Sequence, residues 1–146
     1  MLPTHQKLSR KIGHRYLLVK NMLTSLFLYE KITSTKAKIK AIKPVAEKLL
    51  SRVKISNNNV NLTRYLKKYL IGKSVIDKLI EIYQPNLITN DKFIFKYNLS
   101  TRKGDGAELA MLKINPDLVK ITEIKEEKKI AKINSDNKKM TKIKNN

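Results

Sequence analysis

The chain has 146 residues, with 32 Lys and Arg against 12 Asp and Glu, a formal net charge of +20 and no cysteine. The length suits one compact domain with extensions, and the lack of cysteine excludes a disulfide framework, a thiolate metal site and a Cys nucleophile. A charge this large repels itself in a compact monomer, so it points to a polyanionic partner.

Residues 1–12 have no apolar periodicity and carry Lys7, Arg10 and Lys11, which reads as a basic arm. From about His14 to Tyr29, Leu18, Met22 and Leu26 recur at i, i+4 and i+8, widened by Leu23 and Phe27, and predict a helix. The β-branched "KITST" (Lys31–Thr35) predicts a short strand. A second helix follows from Lys36, with Thr35 or Ser34 to cap it and an apolar face of Ile39, Ile42, Ala46, Leu49, Leu50 and Val53. Lys36, Lys40 and Lys43 form a separate basic stripe. Pro44 cannot donate to the Lys40 carbonyl, so a kink or a late helix start is expected there.

"ISNNNVN" reads as a loop, and Leu62, Tyr65, Leu66, Tyr69 and Leu70 predict a third helix stopped by Gly72. Ser74 with Asp77 looks like the capping of a fourth helix through Tyr83, ended before Pro85. "KFIFKYNL" alternates Phe93, Phe95, Tyr97 and Leu99 against Ile94, Lys96 and Asn98, the pattern of a strand with its aromatics in the core. The polar loop "STRKGDG" reads as a hairpin turn into a last strand, "AELAMLKI". Beyond Asp117 the chain is Lys/Glu/Ile-rich, partly helical around Thr122–Ile133 or disordered. The fold class is therefore α+β: a small mixed sheet of about three short strands covered by about four helices, with a basic N-terminal arm and an extended C-terminal tail. The expected divisions are an arm at 1–12, a globular domain at 13–116 and a charged extension at 117–146.

Catalysis finds little support. The carboxylates of the folded part mostly sit beside lysines on helix surfaces, where a solvated face is the plainer reading. "RKGDG" lacks the spacing of a phosphate-cradling loop and joins two strands instead of opening a helix. His5 and His14 are too few for a zinc site. No enzyme activity, cofactor, metal or small-molecule substrate is expected. Membrane insertion is not expected either, because the longest apolar-looking stretch without a charge, Asn21–Tyr29, is far short of the ~20 residues a spanning helix needs.

Nucleic acid fits better. Residues 1–54 hold 13 basic and 2 acidic residues, a net of +11, against +5 for residues 55–116 and +4 for the rest. An AT-rich genome accounts for abundant Lys, Asn and Ile, but not for so few acids in the first third. Cations neutralise phosphates cumulatively, and hydroxyls bond phosphate oxygens or ribose 2′-OH groups. The candidate RNA-binding residues are Lys7, Arg10, Lys11, His14, Arg15, Lys20, Asn21, Thr33, Ser34, Thr35, Lys36, Lys38, Lys40, Lys43, Arg102 and Lys103. Singly, a lysine stripe is usually a solvated face and a Thr-rich strand merely a strand; jointly they make one basic surface. No zinc-finger, basic-zipper or helix-turn-helix pattern concentrates the charge on one recognition helix. Diffuse, shape-following contact suits structured RNA. A free-standing nucleic-acid chaperone or regulator is the rival reading.

"LSRKIGHRYLLVKNMLTSLFLYEKITSTKAKIKAIKPVAEKLLSRVK" (Leu8–Lys54) resembles the bacterial-type large-subunit ribosomal protein seventeen family. The likeness lies in the arm followed by His14-Arg15, then Lys20-Asn21, Glu30, Thr33–Thr35, Lys36-Ala37-Lys38 and Pro44-Val45-Ala46-Glu47-Lys48-Leu49. "RKGDGAELAMLKI" (Arg102–Ile114) is similar to the family's Arg-x-Gly-Asp turn and closing strand. The family's Gly-Gly-Tyr-Thr-Arg stretch is replaced by Asp91-Lys92-Phe93-Ile94-Phe95, and the tail has no counterpart in the compact bacterial form. The resemblance implies a structural constituent of the large ribosomal subunit, supporting translation and subunit assembly. Its implied partners are the large-subunit rRNA, near the peptide tunnel outlet, and neighbouring ribosomal proteins. The departures point to a lineage-specific ribosome, so the mitochondrial matrix is the first expectation and the bacterial cytoplasm the alternative. The mitochondrial case would need an internal or uncleaved import signal.

Overall fold

The computed structural model describes residues 6–56, 59–84 and 93–115. The elements are α1 (Ile12–Tyr29), β1 (Lys31–Thr35), α2 (Lys36–Ile55), α3 (Asn59–Lys67), α4 (Lys73–Lys78) with a π-helical turn (Leu79–Tyr83), β2 (Ile94–Thr101) and β3 (Glu108–Ile114). The three strands form one sheet in the order β1-β3-β2. The class is α+β, as expected, but both strand pairs are antiparallel, so the sheet is not mixed. The tight hairpin fixes the β2–β3 pair. The β1–β3 pair is closed by the Ile114 N–H donating to the Glu30 carbonyl at 2.8 Å.

In α1, Val19, Met22, Leu23, Leu26 and Phe27 are buried at helical spacing. They meet Ile39, Ile42, Ala46, Leu49, Leu50 and Val53 of α2 in a single core, which also takes Ala110, Leu112 and Ile114 from β3. Burying each such large side chain contributes roughly 1.5–3 kcal/mol. The apolar period of the sequence therefore becomes helix faces on one side of the sheet.

Glu30 ends α1 in the left-handed conformation, φ 63°. Glycine would adopt this more readily, so other contacts must hold the turn. Lys78 Nζ supplies two of them, donating to the Leu28 carbonyl at 3.0 Å and to Glu30 Oε1 at 2.8 Å. A cation at a helix C-terminus also suits the helix dipole. Thus α4, 48 residues further on, locks the turn that launches β1.

Several local expectations are corrected. Helix α2 begins at Lys36, as expected, and contains Pro44, so the late start does not occur. Thr35 sits at its N-cap with extended backbone but makes no side-chain cap hydrogen bond. Part of the expected loop is helix, since α3 starts at Asn59. Gly72, at φ 92°, opens α4 instead of ending α3, and Ser74 lies inside that helix. A positive φ is available to glycine without strain, and it reverses the chain between the two helices. The helix expected at Thr122–Ile133 lies outside the described residues, as do His5 and the whole extension. Among the described residues, no helix is long and apolar enough to cross a membrane.

Candidate nucleic-acid interface

Strand β1 runs directly into α2, so its hydroxyls and the first turns of the helix are placed side by side. The structure gathers Thr35, Lys36, Ala37 and Lys40 around a shallow depression closed by Ala107 and Glu108 from the hairpin. Lys36 and Lys40 are exposed and one helical turn apart. Lys38 is half-buried, and Thr33 is exposed on β1. This junction is the densest grouping of the expected residues.

Not all of its charge is free. Lys36 Nζ lies 2.7 Å from Glu108 Oε2, and Lys43 Nζ lies 3.6 Å from Glu47 Oε1. The Lys36 hydrogen bond, and then its charge, hold the Glu108 carboxyl below its usual range. Both partners are well exposed, so the pair is weak and open to competition from a phosphate. Lys40 makes no ion pair among the described residues.

A second group lies at the start of α1. Lys7, Arg10, Lys11 and His14 are exposed, and Arg15 is half-buried. Leu8 and Ser9 both have positive φ, 52° and 49°, and the Arg10 N–H donates to the Lys7 carbonyl at 3.2 Å. Arg10 Nη1 donates to the Leu8 carbonyl at 3.0 Å, so this part of the arm makes a defined turn. Lys20, half-buried, and Asn21, exposed, lie further along α1.

The hairpin does less than expected. Arg102 Nε donates to Asp105 Oδ1 at 2.8 Å while Nη2 donates to Oδ2, a bidentate grip inside the loop. The Arg102 hydrogen bond, joined by the Ala107 N–H, pulls the Asp105 carboxyl down to about 2. The pair therefore holds above that pH and is lost as pH falls through it. Arg102 is a staple of the loop, Gly106 completes the turn at φ 65°, and Lys103 stands exposed beside it.

The aromatic strand is a larger departure. Phe93 is buried, but Tyr97 is 46% and Leu99 41% exposed, and Phe95 is half-buried. The face of β3 decides this: Ala110, Leu112 and Ile114 turn to the helices, and the register sets Tyr97 opposite Met111 on the other side. Lys31 and Lys113 stand opposite one another in the β1–β3 pair, both exposed. Neither lysine was singled out from the sequence, and Tyr97 was expected in the core. The period-two alternation was visible there, but not which phase faced the helices. Among the described residues, no group of His, Cys, Asp and Glu could hold a metal ion.

The family model for ribosomal protein L17 matches residues 18–115. The chain is 41% identical over 110 residues to the large ribosomal subunit protein bL17 of Borrelia hermsii, covering 74% of this chain and 87% of that protein. It is 36% identical over 108 residues to the protein of the same name from Treponema denticola, covering 73% and 59%. A third, from Pelobacter propionicus, is 33% identical over 114 residues, covering 77% and 88%. These relatives are bacterial, and they give the expected mitochondrial origin no support. The matched segment runs from the middle of α1 to the end of β3, which is nearly the whole sheet-and-helix core, and the chain belongs to the ribosomal protein L17 family.

Proposed function

We propose that the chain is a non-catalytic, structural constituent of the large ribosomal subunit in the bacterial cytoplasm. It binds the large rRNA near the peptide tunnel outlet, beside neighbouring ribosomal proteins, and supports assembly and translation. Family membership and the bacterial relatives support the subunit and the compartment. The observation that carries the binding mode is the β1–α2 junction, where Thr35, Lys36 and Lys40 meet on ordered backbone. Lys7, Arg10, Lys11, His14 and Arg15 at the start of α1 form the second grip, with Lys20, Asn21, Thr33, Ser34, Lys38, Lys43 and Lys103 as outlying contacts. Arg102 acts through the shape of the hairpin. Residues 1–12 serve as the arm, 13–116 as the rRNA-binding domain and 117–146 as an extension that the core does not need.

A cation contributes only where it reaches a phosphate of the docked RNA, so placement should matter as well as charge. The test compares Lys11→Ala with Lys40→Ala against Lys67→Ala with Lys68→Ala. Each double variant removes two exposed lysines from the structured part. Binding to a large-subunit rRNA fragment should weaken far more in the first variant, and its log–log salt slope should flatten by about 1.8 for two lost phosphate contacts. Equal losses would mean that net charge alone governs binding, as for a loosely associated chaperone.

A further inference from the structure

The face of the sheet turned away from the helices carries three rows. They are Lys31–Lys113–Phe95, Thr33–Met111–Tyr97, and Thr35–Leu109 with Leu99 beside them. No acidic side chain lies on these rows; Lys31, Thr33, Tyr97 and Lys113 are exposed, and Phe95, at the edge, lines a cleft with Lys43, Glu47 and Ser51 of α2. Two features are costly in the protein alone. Lys31 and Lys113 are like charges placed directly opposite across a strand pair, which destabilises a sheet. Tyr97 and Leu99 expose large apolar surface to water. A single ligand that brings both negative charge and flat apolar rings would relieve the two together.

We infer that this outer sheet face is a base-stacking platform for an unpaired stretch of RNA, with Tyr97 under one base, Phe95 beside it, and Lys31 and Lys113 sharing a phosphate. This deepens, and rests on, the reading of the chain as an rRNA-binding protein. Residues two apart on a strand lie ~6.6 Å apart on the same face, so Phe95 and Tyr97 are successive positions along one track. Aromatic faces accept any base, and lysines at the end of the track follow the backbone. A protein partner fits less well, because lysine is depleted from the cores of protein interfaces. The chain's own C-terminal extension, with nine Lys against five acids, is also a poor match for a basic face.

The chain has no tryptophan, so Tyr97→Trp places a single reporter on this face. The experiment titrates the full-length variant with a single-stranded RNA of about 12 nucleotides, and with a perfect duplex of the same sequence. The single strand should quench the tryptophan saturably and the duplex should not. In parallel, Tyr97→Ala should weaken single-strand binding by about 5- to 150-fold while duplex binding stays within about twofold of the wild type. Tyr97→Phe should restore single-strand binding, since the ring and not the hydroxyl does the stacking, and far-UV circular dichroism should be unchanged in all three variants. Absent quenching with intact duplex binding overturns the platform alone and assigns the face to a protein neighbour. Failure to bind either RNA overturns the rRNA reading as well.

Discussion

Glu108→Gln is expected to tighten RNA binding. In the free protein Glu108 holds Lys36 at 2.7 Å across the mouth of the β1–α2 junction. Any phosphate that reaches Lys36 must displace that carboxylate. The pair is exposed on both sides, at 48% and 63% of the side chains, so it is worth little and its loss should not unfold the hairpin. Removing it frees one cation and removes one repelling charge. At ~50 mM salt the gain should be roughly two- to fivefold in affinity, the scale of one exposed ion pair. One more neutralised phosphate steepens the log–log salt slope by about 0.9. That slope takes back about 3.5-fold between ~50 and ~200 mM, so the gain nearly vanishes at the higher salt. The assay is a salt titration of affinity for a large-subunit rRNA fragment, with Glu81→Gln as a control that removes the same charge from an exposed site away from the junction. If Glu108→Gln binds no better than Glu81→Gln and keeps the wild-type slope, Lys36 is not at the interface.

Lys78→Ala removes the bridge from α4 to the Leu28 carbonyl and the Glu30 carboxylate, a pair in which the Lys78 side chain is 21% and the Glu30 side chain 35% exposed. It should lower stability by about 2 kcal/mol, or ~8–16 °C in Tm, against under about 0.5 kcal/mol for the exposed Lys68→Ala; equal melting of the two variants would show that the clamp contributes nothing. Burial, aided by the charge of Glu30, raises the Tyr83 phenol well above its ordinary value, and its buried hydroxyl has no hydrogen-bond partner among the described residues. Below about pH 10 it is neutral in both states; above that only the unfolded chain ionises, so stability falls with rising pH. Tyr83→Phe should lessen that alkaline loss and be neutral or up to about 1 kcal/mol stabilising at neutral pH, as denaturant melts at several pH values would record. Truncation after Asp117 should leave the melting of the core and its incorporation into large subunits intact, because the core closes at Ile114; exclusion from the subunits would make the extension an anchor.

The elements themselves were legible because each buries one periodic face: the i, i+3, i+4 stripe of α1 and the longer one of α2 need no tertiary knowledge. What the sequence could not carry were contacts between distant residues. Glu30 as a left-handed helix end makes sense only once Lys78 is beside it. Ser74 looked like a cap because local spacing cannot see that Gly72, two residues earlier, already reverses the chain. For the site, the basic surplus of the first third was plain, but its engagement was not. Lys36 and Arg102 look alike in sequence, yet one is weakly held by Glu108 and the other is stapled bidentately by Asp105. The outer sheet face was missed for a related reason. Alternation fixes which residues share a face, and the register with β3 fixes which face meets water.

The central claim is that this chain is built into the large subunit by an ordered basic surface, and one measurement meets it head on. Tagged full-length protein, expressed in bacteria of the kind its relatives come from, is followed through a high-salt sucrose cushion with the large subunits. Membership of the assembled particle predicts stoichiometric cosedimentation that survives the salt, with the Lys11→Ala, Lys40→Ala variant depleted from mature subunits. Release of the wild-type protein into the salt wash would contradict it and identify a loosely bound RNA-binding regulator.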